Sequence, residues 1–142
     1  MLAENATIAA VSTLAREQYP AVAPFPSYGV CNDGGCGAGE GAAPAWCSAR
    51  TEALVSAFGA VNVAITGAGA DSSTIDGRGC WWWAQFLAKQ LTMCRPQLVN
   101  FVSCSSIEVT GVTLKDPPFW NLHIWNSSNA HVSVLVRLCA RG

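Results

Sequence analysis

Nine carboxylates, two histidines and seven cysteines are the groups in this 142-residue chain that could carry chemistry. Paired carboxyls could work as general acid and base, provided burial or a like-charged neighbour keeps one of them protonated. The candidates are Glu4, Glu17, Asp33, Glu40, Glu52, Asp71, Asp76, Glu108 and Asp116, and no two are adjacent. Asp76 lies in Thr74-Ile75-Asp76-Gly77. Asp-Gly is turn chemistry, with the carboxylate capping backbone amides and the glycine taking positive φ, so Asp76 is read as structural. Asp116, before Pro117-Pro118, is read as a turn former too. His123 follows Phe119-Trp120-Asn121-Leu122. It could donate a hydrogen bond into a cleft or tie neighbouring strands together; with no carboxylate partner in view, the second is expected. His131 sits among Asn and Ser in what reads as a polar turn, and no role is assigned to it.

Trp81-Trp82-Trp83 could offer faces for ring stacking, but adjacent residues in an extended strand cannot all face one way. At least one is expected in the core. Cys31, Cys36 and Cys47 lie in a Gly/Ala-rich stretch, with Cys80, Cys94, Cys104 and Cys139 downstream. Zinc sites favour close Cys-x2-Cys pairs or neighbouring histidines, and neither occurs, so a loop disulfide plus buried core thiols is expected. The odd count leaves at least one thiol unpaired within the chain. The stretch GAGADSS is not followed by a Gly-Lys-Ser/Thr phosphate loop. Two sequons, Asn5-Ala6-Thr7 and Asn126-Ser127-Ser128, permit N-glycosylation of a secreted protein. No residue is assigned as catalytic, cofactor-binding or metal-ligating, and no cofactor is expected.

Composition narrows the class. Hydrophobic residues make up 51% and charged residues 12%, with a net charge of −1. No basic patch points to nucleic acid. No apolar run approaches the ~18 residues that a membrane span requires. The start, MLAENATIAAV, lacks the features of a secretory signal, whereas seven cysteines suggest an oxidising compartment. The two agree if the chain begins inside a larger protein.

The elements that must position these groups are short strands. A strand is expected near 6–11, followed by an extended, proline-punctuated run with Pro20, Pro24 and Pro26. Residues of about 30–50 read as a Cys/Gly-rich loop insert. From Leu54 to Leu138, period-2 alternation recurs: Val61/Val63/Ile65, 98–102, Ile107/Val109 with Val112/Leu114, Leu122/Ile124, and Val132/Val134/Val136. Residues 84–93 are the one stretch with helical potential. Segments 60–67, 105–112 and 129–136 align roughly, with Val63, Ile107 and Val132 in register. The intervals of 44 and 25 residues suit two coils and then one.

Order of motifs adds to this. Residues 73–79 (STIDGRG) precede the Trp triplet, then come Arg95-Pro96, residues 106–123 (SIEVTGVTLKDPPFWNLH) and a Val-rich strand. Residues 4–29 end in YPAVAPFPSYG. Together these resemble the central rungs of the polygalacturonases, glycoside hydrolase family 28. The resemblance covers residues 4–29 and 54–138 and leaves the insert outside.

The resemblance implies an all-β chain folded as a right-handed parallel β-helix, an incomplete solenoid, with residues 1–142 part of one domain. It further implies a polysaccharide partner, pectin or homogalacturonan, hydrolysed without metal by inverting acid/base catalysis in the intact protein, and an extracellular or cell-wall location. The family's catalytic motifs, Asn-Thr-Asp, Asp-Asp, Gly-His-Gly and Arg-x-Lys, are not found in this sequence. The expectation is therefore a fragment, cut ahead of the catalytic segment and inactive alone. The alternative is a non-catalytic polysaccharide-binding or structural β-helix module.

Overall fold

The computed structural model describes residues 1–10, 19–22, 50–91 and 94–138. Eleven elements follow in chain order: β1 (Thr7–Ala9), β2 (Ala21–Val22), β3 (Arg50–Thr51), β4 (Val55–Phe58), β5 (Val61–Thr66), β6 (Thr74–Asp76), α1 (Cys80–Leu87), β7 (Val99–Val102), β8 (Ser105–Lys115), β9 (Leu122–Trp125) and β10 (Ser128–Arg137). Pro24, Pro26, the insert before Arg50, and Cys31, Cys36, Cys47 and Cys139 lie outside the described residues.

Two parallel sheets carry the chain. In one the order is β1-β6-β8-β10, with β5 also paired to β8; in the other it is β4-β7-β9. Parallel pairing of strands this close in sequence requires the chain to circle back by way of the other sheet. Each circuit is one coil, and coils stack about 4.8 Å apart. The fold is an all-β parallel β-helix, as the sequence implies. Among the described residues, only β2 and β3 pair antiparallel.

The inward positions explain why the coils hold together. Val99, Phe101, Ile107, Val109, Val112, Leu114, Ile75 and Leu98 form one buried cluster, with Val55, Ala57, Leu122 and Ile124 packed against it. Seven of these eight buried side chains come from the coil of β7 and β8, and the coils on either side cover them, as no single coil could do for itself.

The coil count differs from the sequence expectation. Val63 does pair with Ile107, but the 44 residues between them are one coil, enlarged by α1 and its flanks. The next coil is shorter: Val99 faces Leu122, 23 residues on. Ile107 faces Ala130 rather than Val132, which faces Val109. The helix also begins earlier than expected and takes in all three tryptophans. Only Trp82 is buried, and it meets Tyr19 edge-on with ring centroids 5.4 Å apart.

The corner between the two sheets repeats in three successive described coils. Gly59, Ser103 and Asn126 have φ of 61°, 53° and 48°, and Asn62, Ser106 and Asn129 have 58°, 55° and 54°. All six are left-handed, a conformation that glycine and asparagine adopt most readily. Asn126 Nδ2 donates to Ser103 Oγ at 3.0 Å, joining two coils at this corner. Ser106 is exposed, so its backbone conformation dominates what a substitution there does. Ser106→Gly should leave stability unchanged or raise it. Ser106→Val should lower it by roughly 1–2 kcal/mol, read from denaturant midpoints at constant slope.

Candidate functional site

Alternation along β4, β7 and β9 sends one set of side chains inward and leaves the other on the outer face. With Val55, Ala57, Val99, Phe101, Leu122 and Ile124 in the core, the outer set forms two rows. One is Ser56, Asn100 and His123; the other is Phe58, Val102 and Trp125. In the first row Asn100 and His123 are buried, and His123 Nδ1 donates to Asn100 Oδ1 at 2.9 Å. The histidine thus binds one coil to the next, as read from sequence. Trp120 lies against it with centroids 5.3 Å apart and stacks on Phe119 at 4.9 Å. Phe58 and Trp120 keep 52% and 37% of their surfaces exposed, so this face presents aromatic surface to solvent. Three buried amides lie alongside: the Gln97 amide group, Asn100 Nδ2 and Asn121 Oδ1 have no hydrogen-bond partner among the described residues.

Beside this face sits the platform added by the long coil. Arg95 is buried with its guanidinium carbon 4.1 Å from the Trp83 ring centroid, 3.9 Å from Phe86 and 4.7 Å from Phe119. Three aromatic faces around one guanidinium replace its water shell with ring electrons. Trp83 Nε1 donates to Pro117 O at 2.9 Å, fastening the helix to the turn after β8. The exposed member of the triplet is Trp81. Cys80 and Cys94 each take part in a disulfide, and Cys104 is a free, buried thiol.

The carboxylates lead elsewhere. Asp76 Oδ1 accepts the Arg78 N–H at 2.9 Å, the capping role expected of it. The positive φ falls on Arg78, however, and not on Gly77. Gly77 is needed for space: a Cβ there would lie 2.7 Å from Asp116 O. Lys115 Nζ reaches Asp76 Oδ2 at 2.8 Å and Asp116 Oδ2 at 3.6 Å. Asp116 itself is in a left-handed turn conformation, as a turn former should be. Burial alone would push Asp76 upward. The Lys115 hydrogen bond, the Arg78 N–H and both positive charges outweigh it and hold the carboxyl below the usual aspartate range. The same partnership raises Lys115 above the usual lysine range, its hydrogen bond to Asp76 leading. Asp76 is therefore an ionised strand-end anchor, the reverse of a general acid.

A shallow concavity of about 490 Å³ lies on the outer side of the larger sheet, between Asn62, Ser106 and Asn129 at the corner and Ala64, Glu108 and His131 along the strands. Glu108 and His131 are register neighbours, and Thr110 Oγ1 donates to Glu108 at 3.2 Å. His131 belongs to β10 and not to a turn. No group of three or more His, Cys, Asp or Glu suited to a metal occurs among the described residues. No described helix is long and apolar enough to cross a membrane.

Sequence reasoning found His123, Asp76 and Asp116. It missed the roles of Arg95 as an aromatic-boxed cation and of Lys115 as partner to Asp76. Both cations are visible in the sequence, but which residues they meet depends on the coil register.

Asp76→Asn should cost roughly 1 kcal/mol near neutral pH, a modest value because Lys115 is partly exposed. Since the folded carboxyl titrates below its unfolded value, the pair's contribution is complete above the unfolded value and fades as pH falls through the folded one. Urea unfolding of wild type and variant should differ at pH 7 and converge in strong acid.

Comparison with known proteins places these features. The chain matches Glycosyl hydrolases family 28 over residues 42–138. It is 33% identical over 112 residues to a probable polygalacturonase of Vitis vinifera, covering 79% of this chain and 20% of that protein. No solved structure matches.

Proposed function

Because the chain belongs to glycosyl hydrolases family 28, we propose that it forms part of a polygalacturonase-like hydrolase acting on pectin or homogalacturonan. The chain spans about a fifth of the length of its grapevine relative. In the intact protein, bond cleavage is by inverting acid/base catalysis, with two carboxyls roughly 6.5–9.5 Å apart around a water. Residues 1–142 are part of a single right-handed β-helix domain and supply early coils and one wall of the polysaccharide cleft.

The observation that carries this reading is the outer face of β4, β7 and β9 in a chain of this family. Phe58 and Trp120 expose aromatic surface there. Such rings suit the apolar faces of sugars, while the ordered row beneath keeps the strands at fixed spacing. The disulfides in which Cys80 and Cys94 each take part suit an extracellular or cell-wall setting, where such bonds persist.

A second reading has its own support. Asp76 and Asp116, both at a strand end, share Lys115. By itself this chain then acts as a polysaccharide-binding or structural module without turnover.

Two measurements separate the readings. Purified residues 1–142 incubated with polygalacturonate should release no reducing ends; measurable release would overturn the inactivity of this segment. Affinity electrophoresis in gels containing polygalacturonate should retard the chain, and Trp120→Ala should weaken that retardation severalfold. A longer product that continues into Asn-Thr-Asp and Asp-Asp motifs should show turnover. Failure of both binding and turnover would remove pectin as the substrate.

A further inference from the structure

The face that carries Phe58 and Trp120 is built of uncharged side chains. β4 reads VSAF, β7 VNFV and β9 LHIW, with no lysine, arginine or carboxylate in any of them. Its outward rows are Ser56, Asn100 and His123, then Phe58, Val102 and Trp125, with Ser56 and Phe58 exposed. Asn100 and His123 are buried and bonded to each other.

Of the chain's eight lysines and arginines, none belongs to these strands. Arg95, four residues before β7, is buried in its box of rings. Lys115 is held by Asp76 and Asp116 at a strand end of the larger sheet. Arg137 lies 3.8 Å from Asp71. Residues 23–49 contain Asp33 and Glu40 but no lysine or arginine.

A wall that captures a polyanion by its carboxylates faces it with cations, and that attraction fades as salt shortens the screening length. Rings and amides act otherwise. An exposed ring packs on the C–H face of a pyranose, and amides and hydroxyls meet its hydroxyl groups. Neither contact requires a charge on the sugar. A methyl ester removes the negative charge of a galacturonate, keeps the carbonyl acceptor and adds an apolar group.

We infer that the wall formed by β4, β7 and β9 recognises the uncharged parts of the polymer. It takes methyl-esterified homogalacturonan as well as it takes the free acid. The inference rests on the pectin reading above and gives Phe58 and Trp120 a part in specificity: they hold the sugar without selecting its carboxylate.

The test uses the whole isotope-labelled chain and galacturonan oligosaccharides of one length, in acid and methyl-esterified forms. The Trp120 indole N–H resonance is identified by its loss in Trp120→Phe. It should move with both forms, at affinities within about twofold of each other, because long-range attraction contributes little here. Raising salt from about 0.02 to about 0.2 M should change either affinity by less than about twofold. Ser56→Lys, at an exposed position of the same face, should tighten the acid form severalfold at low salt and leave the ester unchanged. Equal or tighter binding of the ester supports the inference. Binding confined to the acid form, or lost as salt rises, would sink it and leave the pectin reading intact. A Ser56→Lys chain that binds both forms as the wild type does would sink it too, since the sugar would then lie off this face. If neither form moved the Trp120 resonance, the pectin reading of this face would fall, and the inference with it.

Discussion

Stacking in a common register is the constraint on which everything else depends. Parallel coils share one ladder of hydrogen bonds, so a residue at a corner must adopt nearly the backbone of the residue below it. Gly59, Ser103 and Asn126 obey this at one position, and Asn62, Ser106 and Asn129 at another. A serine in the left-handed region is locally unfavourable by roughly 1–2 kcal/mol, yet Ser103 and Ser106 accept it because their neighbours above and below do. What the register returns is a continuous core: Phe101 on Ile124, Val99 on Leu122, Ile107 beside Val63.

Such a constraint also decides where extra sequence can go. The long coil and the short one place their strands identically, so the surplus is pushed out between β6 and β7, as α1 and its flanks. Closing a longer loop adds little entropy cost, since that cost grows only logarithmically with length. Holding it in one place requires contacts, and Arg95 supplies them. Its guanidinium joins Trp83 and Phe86, from the surplus, to Phe119, from the turn after β8. Gly77 contributes by omission, letting the turn at Asp116 approach the backbone.

Which parts of this were legible follows from what a pattern can encode. Alternation gave the strands of the core and the pairing of Val63 with Ile107. It misplaced Val132 by two residues, and a shift of two keeps every side chain on its face, so the binary pattern cannot detect it. Only the backbone ladder distinguishes Ala130 from Val132 as the partner of Ile107. The helix was placed too late because it lacks start and stop signals: Gly79 caps it without a side-chain hydrogen bond, and neither end carries a complementary charge. The Asp76 cap was readable because it is local, reaching only Arg78. Its Lys115 partner, 39 residues away, was not.

That Lys115 contact bears on chemistry as well as stability. Coils about 4.8 Å apart, with residues spaced about 3.3 Å along each strand, put two carboxyls offset by one coil and two residues near 8 Å apart. An inverting pair works at about that separation. A stack of coils is therefore well suited to acid/base hydrolysis wherever two acids occupy such positions and one is kept protonated. At the Asp76 strand end the next coil instead offers Lys115, which fixes Asp76 in its charged form. The cation at that position directs this strand end to holding the coils together.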